Sequence, residues 1–336
     1  MNTGNNDFIY DAVARLEAIT DKSMNIESSR KEYDGILTLD NTQFTVEAKS
    51  AIRPSNKGVV LNEIQKLKEK SSRPVIIVAK YIAADIAQEF KKSGYNYIDI
   101  AGNCYINYNN VLIYISGQKV EKIGKTNQSR AFQESGIKLI FNLLRSPDNL
   151  QLSYRKLAEL TDISIGSVSN VMTELEELNF ILKTNKKRKL KNTPELLNRW
   201  IVAYSDVLKP RILKKRMRFT NSKDYRNWSN YKISKSEKIL WGCETAASIL
   251  TNKLRPQIFT IYTEENWQIP AKKFKLVPDN NGDIEIYQTF WRDDANDNKP
   301  PIVPVLLIYA DLISSGLNRN IELAQIILEN ELQHIK

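Results

Sequence analysis

The chain has 336 residues, which exceeds the range served by one hydrophobic core, so its length predicts two or three domains of about 150 residues each. With 42% hydrophobic and 26% charged residues, it has the composition of a folded protein. No stretch approaches the roughly 18 apolar residues of a membrane span. The single histidine, His334, excludes catalytic sites built on histidine, and Cys104 and Cys243 lack metal-type spacing.

The net charge of +10 favours a polyanionic partner such as nucleic acid, because binding a polyanion releases its condensed counterions. The polar first residues lack the basic-then-apolar order of a secretion signal. We therefore expect a cytoplasmic protein without membrane contact. Its oligomeric state is left open, with a dimer as one option.

The first region predicts an α/β domain. Residues 7–20 carry apolar side chains at helical spacing, and two strand-like segments follow, YDGILTL and TQFTVEA. Helix-like and strand-like segments then alternate, an order typical of a mixed sheet covered by helices. The polar segment 121–129 has no periodic pattern, so the expected domain is 1–125.

The middle of the chain, residues 131–208, has the order of parts of a winged helix-turn-helix. A first helix, a short strand, a second helix and a third helix follow one another. These segments are, in chain order, ESGIKLIFNLLRSP, NLQLS, YRKLAELTD and SVSNVMTELEELN. Ser164 is the expected N-cap of the last helix, since its hydroxyl can accept a hydrogen bond from the first turn.

A basic segment follows these helices. FILKTNKKRKLK begins as an apolar strand and continues as a loop, with six basic residues from Lys183 to Lys191. In a winged helix the last helix enters the major groove and basic loops hold the phosphates. The expected base-reading residues are Ser167, Ser169, Asn170 and Thr173. The expected phosphate-binding residues are Lys183, Lys186, Lys187, Arg188, Lys189 and Lys191. A small helical bundle with a solvated run of charges is the alternative interpretation.

Residues 209–336 predict a third, α/β domain. Its basic start, KPRILKKRMR, either extends the phosphate-binding surface or is merely solvated. An active nucleotidyltransferase needs a glycine turn followed by an Asp-x-Asp pair that holds two metal ions. Here Gly242-Cys243 is followed by the strand IFTIYT, which lacks such a pair, so this region does not have the pattern of an active nucleotidyltransferase. Two interpretations are open for Tyr309, Asp311 and Arg319. They could form an interaction surface, but a helix cap and a salt bridge are the favoured interpretation.

Two carboxylates and a lysine meet on the first predicted hairpin. Asp40-Asn41 separates its strands and tolerates the left-handed backbone of a tight turn. A hairpin closed there pairs Asp34 with Glu47, with Cβ atoms about 5 Å apart, and Lys49 lies on the same face. Such a set suits metal-dependent phosphodiester hydrolysis, in which the carboxylates hold Mg²⁺ or Mn²⁺ and the lysine orients water.

This pattern resembles the PD-(D/E)xK nuclease superfamily, because Asp34 and Glu47-Ala48-Lys49 lie on adjoining strands after a helix. The resemblance implies a restriction-endonuclease-like mixed sheet, with Asp34 and Glu47 as metal ligands and Lys49 as a catalytic residue beside them. It also implies that Glu17 is an additional acid and Gln65 a further polar site residue. A surface cluster of charges without activity is the alternative.

The C-terminal segments WGCETAASILTNKLRPQIFTIYT and LLIYADLISSGLNRNIELAQIILE resemble the AbiEi-type antitoxins of type IV toxin–antitoxin systems. The resemblance implies a transcriptional regulator that binds operator DNA through a winged helix and antagonises a cognate nucleotidyltransferase-like toxin. One departure is the central position of the winged helix here.

The sequence thus predicts a multidomain α/β (α+β) protein with two candidate functions. The first is a DNA-binding transcriptional regulator of antitoxin type, with double-stranded DNA as its partner. The second is a metal-dependent DNA nuclease of defence or restriction type, guided by the winged helix. Mg²⁺ or Mn²⁺ is the expected cofactor only if the carboxylate site is active.

Overall fold

A computed structural model describes residues 7–28, 33–119, 129–184, 187–292 and 300–335. The chain divides into two compact units, Met1–Thr126 and Asn127–Lys336. Within the described residues, no helix is both long and apolar enough to cross a membrane.

The N-terminal unit contains a seven-stranded sheet whose strands lie in chain order, with helices in the connections. Its described strands are β1 (Met24–Ser28), β2 (Gly35–Leu39), β3 (Thr42–Lys49), β4 (Val75–Ala79), β5 (Asn96–Asp99), β6 (Cys104–Tyr108) and β7 (Val111–Ile115). Its described helices are α1 (Asp7–Thr20), α2 (Pro54–Lys70) and α3 (Ala84–Lys92). β3, β4 and β5 are parallel because helices connect them, and the hairpin-connected strands are antiparallel.

The apolar pattern of these segments explains the core of this unit. β4 is buried at all five positions, as expected of a central strand between parallel neighbours. β2 alternates instead, with Leu37 and Leu39 fully buried. Phe8, Val13 and Leu16 of α1 pack into the same cluster. One face of the β2–β3 hairpin therefore builds core, which leaves the other face for polar residues.

The second unit begins with helices and a small hairpin. In chain order these are α4 (Glu134–Arg145), α5 (Tyr154–Thr161), α6 (Ile165–Glu177), β8 (Ile181–Lys183), β9 (Arg188–Leu190) and α7 (Thr193–Ala203). The predicted helices are confirmed. The predicted strand NLQLS is wrong, because Pro147–Gln151 is a short 3-10 helix. The Gln151 Nε2 donates a hydrogen bond to the Arg188 carbonyl at 2.7 Å, and its Oε1 accepts one from the Arg188 amide at 3.3 Å. These two side-chain hydrogen bonds take the place of strand pairing.

A five-stranded sheet completes this unit, in the order β11-β12-β14-β10-β13. Its described strands are β10 (Leu213–Phe219), β11 (Ile239–Gly242), β12 (Phe259–Thr263), β13 (Leu276–Pro278) and β14 (Ile284–Gln288). Its described helices are α8 (Lys209–Ile212), α9 (Ser222–Arg226), α10 (Cys243–Thr251), α11 (Gln268–Lys273), α12 (Val305–Ser314) and α13 (Asn318–Glu331).

Aromatic side chains join the helical part of this unit to the sheet part. Phe141 of α4 stacks on Trp200 of α7 and contacts Phe290 and Trp291, with ring centroids 5.2–6.0 Å apart. Trp200 stacks in turn on Tyr204 at 5.3 Å. Residues 131–208 and 209–336 therefore share one core inside a single compact unit.

Candidate functional sites

The start of α6 is fixed by a side-chain cap. Ser164 has extended backbone angles, and its Oγ accepts a hydrogen bond from the Ser167 backbone amide at 3.1 Å, which confirms the expected N-cap. The Ser167 hydroxyl lies 2.9 Å from the same oxygen. Asp162, at φ +53°, ends α5 in the left-handed conformation. The cap therefore sets where the exposed first turn of α6 begins.

The two faces of α6 differ in character. Val168, Val171, Met172 and Leu175 are buried, as the apolar spacing predicts. Of the expected base-reading residues, Asn170 and Thr173 are exposed, whereas Ser167 and Ser169 are half-buried. Sequence reasoning missed one further exposed side chain on this helix, Ile165, which is 48% exposed. Its position directly after the N-cap was the available signal, since residues there reach base edges in a DNA-binding helix.

The β8–β9 hairpin presents lysines on its outer face. Lys187, Lys189 and Lys191 are exposed, as are Leu182 and Lys183. Arg188 alternates inward instead: its Nη1 donates to the Leu150 carbonyl at 3.3 Å, and its guanidinium lies 5.0 Å from the Tyr154 ring centroid. Lys186, the remaining expected phosphate-binding residue, lies outside the described residues. The hairpin thus combines outward lysines with one arginine that packs against α5.

The two basic clusters differ in their ion pairing. In the 209–218 cluster, Lys209 pairs with Asp311, Arg211 with Glu134, Arg216 with Glu285, and Arg218 with Asp279. Among the described residues, no salt bridge includes a lysine of the β8–β9 hairpin or Lys191. The hairpin therefore carries uncompensated positive charge, whereas carboxylates compensate much of the second cluster.

The carboxylate hairpin has the predicted register. Gly35 pairs with Val46 and Leu39 with Thr42, and the Asp34 backbone amide donates to the Val46 carbonyl at 3.0 Å. Asp40 adopts the left-handed conformation at φ +50°, as its turn position requires. The Asp34 Oδ2 accepts a hydrogen bond from the Ala48 amide at 2.7 Å, which holds this carboxylate beside the end of β3.

Lys49 lies between two glutamates at the end of β3. Its Nζ is 2.5 Å from Glu47 Oε1 and 2.7 Å from Glu63 Oε2. Glu63, on α2, was missed by the sequence reasoning, which chose Gln65 on the same helix. Glu17, the other residue suggested by the resemblance, accepts a hydrogen bond from the Met24 amide at 2.6 Å and so fixes the connection from α1 to β1.

Burial controls the protonation of this cluster. It raises the pKa of Glu47 to about 6, although Lys49 opposes the shift. Burial alone would lower the pKa of Lys49, but Glu63 and Glu47 outweigh it and hold that pKa above its ordinary value. Within the described residues, no group of three or more acids, cysteines or histidines is arranged to hold a metal. Asp34 and Glu47 would thus have to bind a cation as a pair.

Other polar residues noted in the sequence have structural roles. Asp99 is buried and accepts hydrogen bonds from the Ala101 and Asn103 amides, while Gly102 has a φ of +89°. Asp99 therefore braces a tight turn. Arg319 pairs with buried Glu244 at 2.6 Å, and Tyr309 and Asp311 are 1% exposed. The salt-bridge part of the favoured interpretation is confirmed, and Tyr309 and Asp311 are too buried to form an interaction surface. The helix-cap part is wrong, because α12 and α13 begin after Pro304 and Leu317 without a side-chain cap. Both cysteines, Cys104 and Cys243, are buried and free.

Residues 189–333 match a family model. The family is described as transcriptional regulator, AbiEi antitoxin, type IV toxin–antitoxin system. The match runs from β9 to the end of α13 and covers less than half of the chain, so α4–α6 and the whole N-terminal unit lie outside it. No curated protein and no solved structure matches the chain.

Proposed function

We propose that this protein is a DNA-binding transcriptional regulator of antitoxin type, in which α4–α6 and the β8–β9 hairpin act as a winged helix on duplex DNA. The AbiEi match of residues 189–333 supports the regulator and antitoxin role. The family description also implies a toxin partner, and we propose a nucleotidyltransferase-like toxin on the basis of the resemblance.

The dimensions of α6 suit the major groove. An α-helix with its side chains is about 10–12 Å in diameter, and the exposed residues of α6 run from Ile165 to Thr173, followed by Glu177 at its end. The major groove of B-DNA is about 12 Å wide and admits an α-helix. β8 contacts α6, so the hairpin lysines lie beside the helix that would enter the groove. In this arrangement the lysines meet the phosphates that flank the bases read by α6.

The observation that carries the proposal is that Lys187, Lys189 and Lys191 form no salt bridge with any residue that the structure describes. A lysine or arginine that already forms a salt bridge gains little binding free energy from a phosphate, because its ion pair with the carboxylate must first break. A lysine without an acid partner neutralises a phosphate directly and releases its counterion. Binding should therefore depend on the hairpin and much less on the 209–218 cluster.

Duplex binding by the full-length protein tests this, measured by fluorescence anisotropy at several salt concentrations. Replacing Lys187, Lys189 and Lys191 together by alanine should lower the log–log salt slope by about 3, one unit for each phosphate contact. The control replaces Arg211, Arg216 and Arg218 by alanine, the same change in charge at residues paired with acids, and should leave the slope nearly unchanged. An unaltered slope in the hairpin variant would refute the proposal, as would an equal fall in both variants.

A second candidate function, a metal-dependent DNA nuclease, is favoured by one specific observation: the register that pairs the strands of Asp34 and Glu47. Their carboxylates supply the hard oxygen ligands that Mg²⁺ and Mn²⁺ prefer. A bound metal would polarise a phosphate and acidify water. Asp34 is held in place by the Ala48 amide, and Lys49 is close enough to Glu47 to orient a water molecule beside it.

Calorimetric melting of the full-length protein with increasing Mn²⁺ tests the nuclease hypothesis. Metal at about a hundred times its Kd should stabilise the N-terminal unit by about 2.7 kcal/mol, because it binds the folded state. Asp34→Ala should remove this effect, whereas Asp40→Asn, which removes an exposed acid of the same hairpin and keeps a residue that tolerates the left-handed turn, should keep it. The losses of cleavage activity caused by Asp34→Ala and Glu47→Ala should be strongly non-additive. No metal-linked shift up to millimolar Mn²⁺ would contradict the hypothesis.

A further inference from the structure

The exposed face of α6 is uncharged over its first two turns. Residues four apart lie one above the other on a helix, so Ile165, Ser169 and Thr173 form one row, and Gly166 and Asn170 form the next. The first acids of the helix come later, and Glu177 at its end is exposed. The face that the winged helix would offer to base pairs is therefore neutral, with an acid only at its far end.

Ile165 is the unusual member of this face. The helix already buries four apolar side chains on the opposite side, yet Ile165 is 48% exposed. Next to it, Gly166 has open space where a side chain would be, since the nearest atom to an added Cβ is Ser164 Oγ at 3.9 Å. The cap at Ser164 fixes the backbone here. An apolar side chain thus projects from a fixed helix end beside a gap that allows close approach.

The chemistry of this face selects among base pairs. The commonest specific contact to guanine uses arginine or lysine, and neither occurs from Ile165 to Thr173. Asparagine pairs with the N6 and N7 atoms of adenine, and apolar side chains contact the C5 methyl group of thymine. Serine and threonine hydroxyls can contact either A·T or G·C base pairs and so do not select between them. The selective members of the face, Ile165 and Asn170, therefore both favour A·T.

We propose that the exposed face of α6 reads A·T base pairs, with Ile165 on a thymine methyl group and Asn170 on an adenine. The inference rests on the proposed DNA-binding function and specifies its target. The charges also favour duplex DNA, because the exposed lysines of the adjacent hairpin attract phosphates. The exposed first two turns of α6 carry no charge themselves. Binding strength then comes from the hairpin and selectivity from α6.

The experiment begins with selection of duplexes from a random-sequence pool by the full-length protein. The enriched duplex should contain A·T pairs at the selected positions. Each selected thymine is then replaced by deoxyuridine, which keeps the base pair and removes only the methyl group. At the position that Ile165 contacts, this single replacement should weaken binding about fourfold, since one buried carbon is worth about 0.8 kcal/mol.

Ile165→Ala should weaken binding to the thymine duplex and abolish the difference between thymine and deoxyuridine. The matched control is Ile269→Ala in α11, a residue of the same type and similar exposure (45%), which should behave as the unaltered protein. Enrichment of G·C pairs, or an equal thymine-to-deoxyuridine difference in Ile165→Ala, would overturn the inference while leaving duplex binding intact. Absence of any duplex binding would instead show that the proposed function itself has failed.

Discussion

Asp311 provides a direct test of how the second unit is held together. It lies on α12 with a fully buried side chain. Its Oδ1 accepts hydrogen bonds from Lys209 Nζ at 2.7 Å and the Tyr204 hydroxyl at 3.0 Å, and its Oδ2 accepts one from the Tyr262 hydroxyl at 3.1 Å. Burial alone would lower the pKa of Lys209, but Asp311 holds that pKa well above its ordinary value. The carboxylate therefore ties Tyr204, directly after α7, and Lys209 of α8 to the sheet and to α12.

Asp311→Asn keeps the shape of the side chain and removes its charge. Lys209, only 19% exposed, is then left as an unpaired cation, which typically costs about 3–5 kcal/mol. This is a large share of a typical domain stability of about 5–15 kcal/mol. With a urea dependence of about 3 kcal/mol/M, the unfolding midpoint should fall by about 1–1.7 M.

Tryptophan fluorescence during urea unfolding is the suitable assay, because all five tryptophans lie in residues 200–291. The signal therefore reports on the second unit alone. Lys209→Met should be similarly destabilising, and the double variant Asp311→Asn/Lys209→Met should cost less than either single change, since no unpaired charge remains. A loss below about 1 kcal/mol for Asp311→Asn, or additive losses in the double variant, would refute the reasoning.

Three further predictions concern single residues. Because the folded protein raises the pKa of Glu47 from 4.5 to about 6, the stability due to this group is present below pH 4.5 and is lost as the pH rises through 6. That loss of about 2 kcal/mol should disappear in Glu47→Gln, as followed by calorimetry of the N-terminal unit. Asn170→Ala should weaken binding to the selected duplex by about 1–3 kcal/mol and spare random DNA, and an equal loss on both would show a positioning role. Arg188→Ala should lower the stability of the second unit by about 1 kcal/mol and leave the salt slope unchanged, because its guanidinium packs on Tyr154.

Local patterns predicted much of the structure. The helices α4–α6 follow from apolar periodicity, and the cap of α6 follows from a serine placed before it. The β2–β3 register follows from the turn residue Asp40, since a two-residue turn determines which residues pair. These features depend on residues close together in the chain, which is why the sequence contains their signal.

Features that depend on distant residues were missed. The partners of the 209–218 cluster, such as Glu134 and Asp279, come from other parts of the chain, and no charge pattern reveals them. Glu63 was missed for the same reason, because its ion pair with Lys49 joins α2 to the end of β3. The core shared by residues 131–208 and 209–336 likewise arises from contacts between separate segments, such as Phe141 with Phe290.

Site-directed disulfide crosslinking tests most directly whether α6 lies in the major groove. Both native cysteines are buried, so Asn170→Cys introduces an exposed thiol on α6. This variant should crosslink to a selected duplex that carries a thiol tether on cytosine N4, in the major groove. It should not crosslink to a duplex that carries the tether on guanine N2, in the minor groove. Ile269→Cys should crosslink to neither. Preference for the minor-groove tether, or bound DNA without any crosslink to Asn170→Cys, would contradict the winged-helix account.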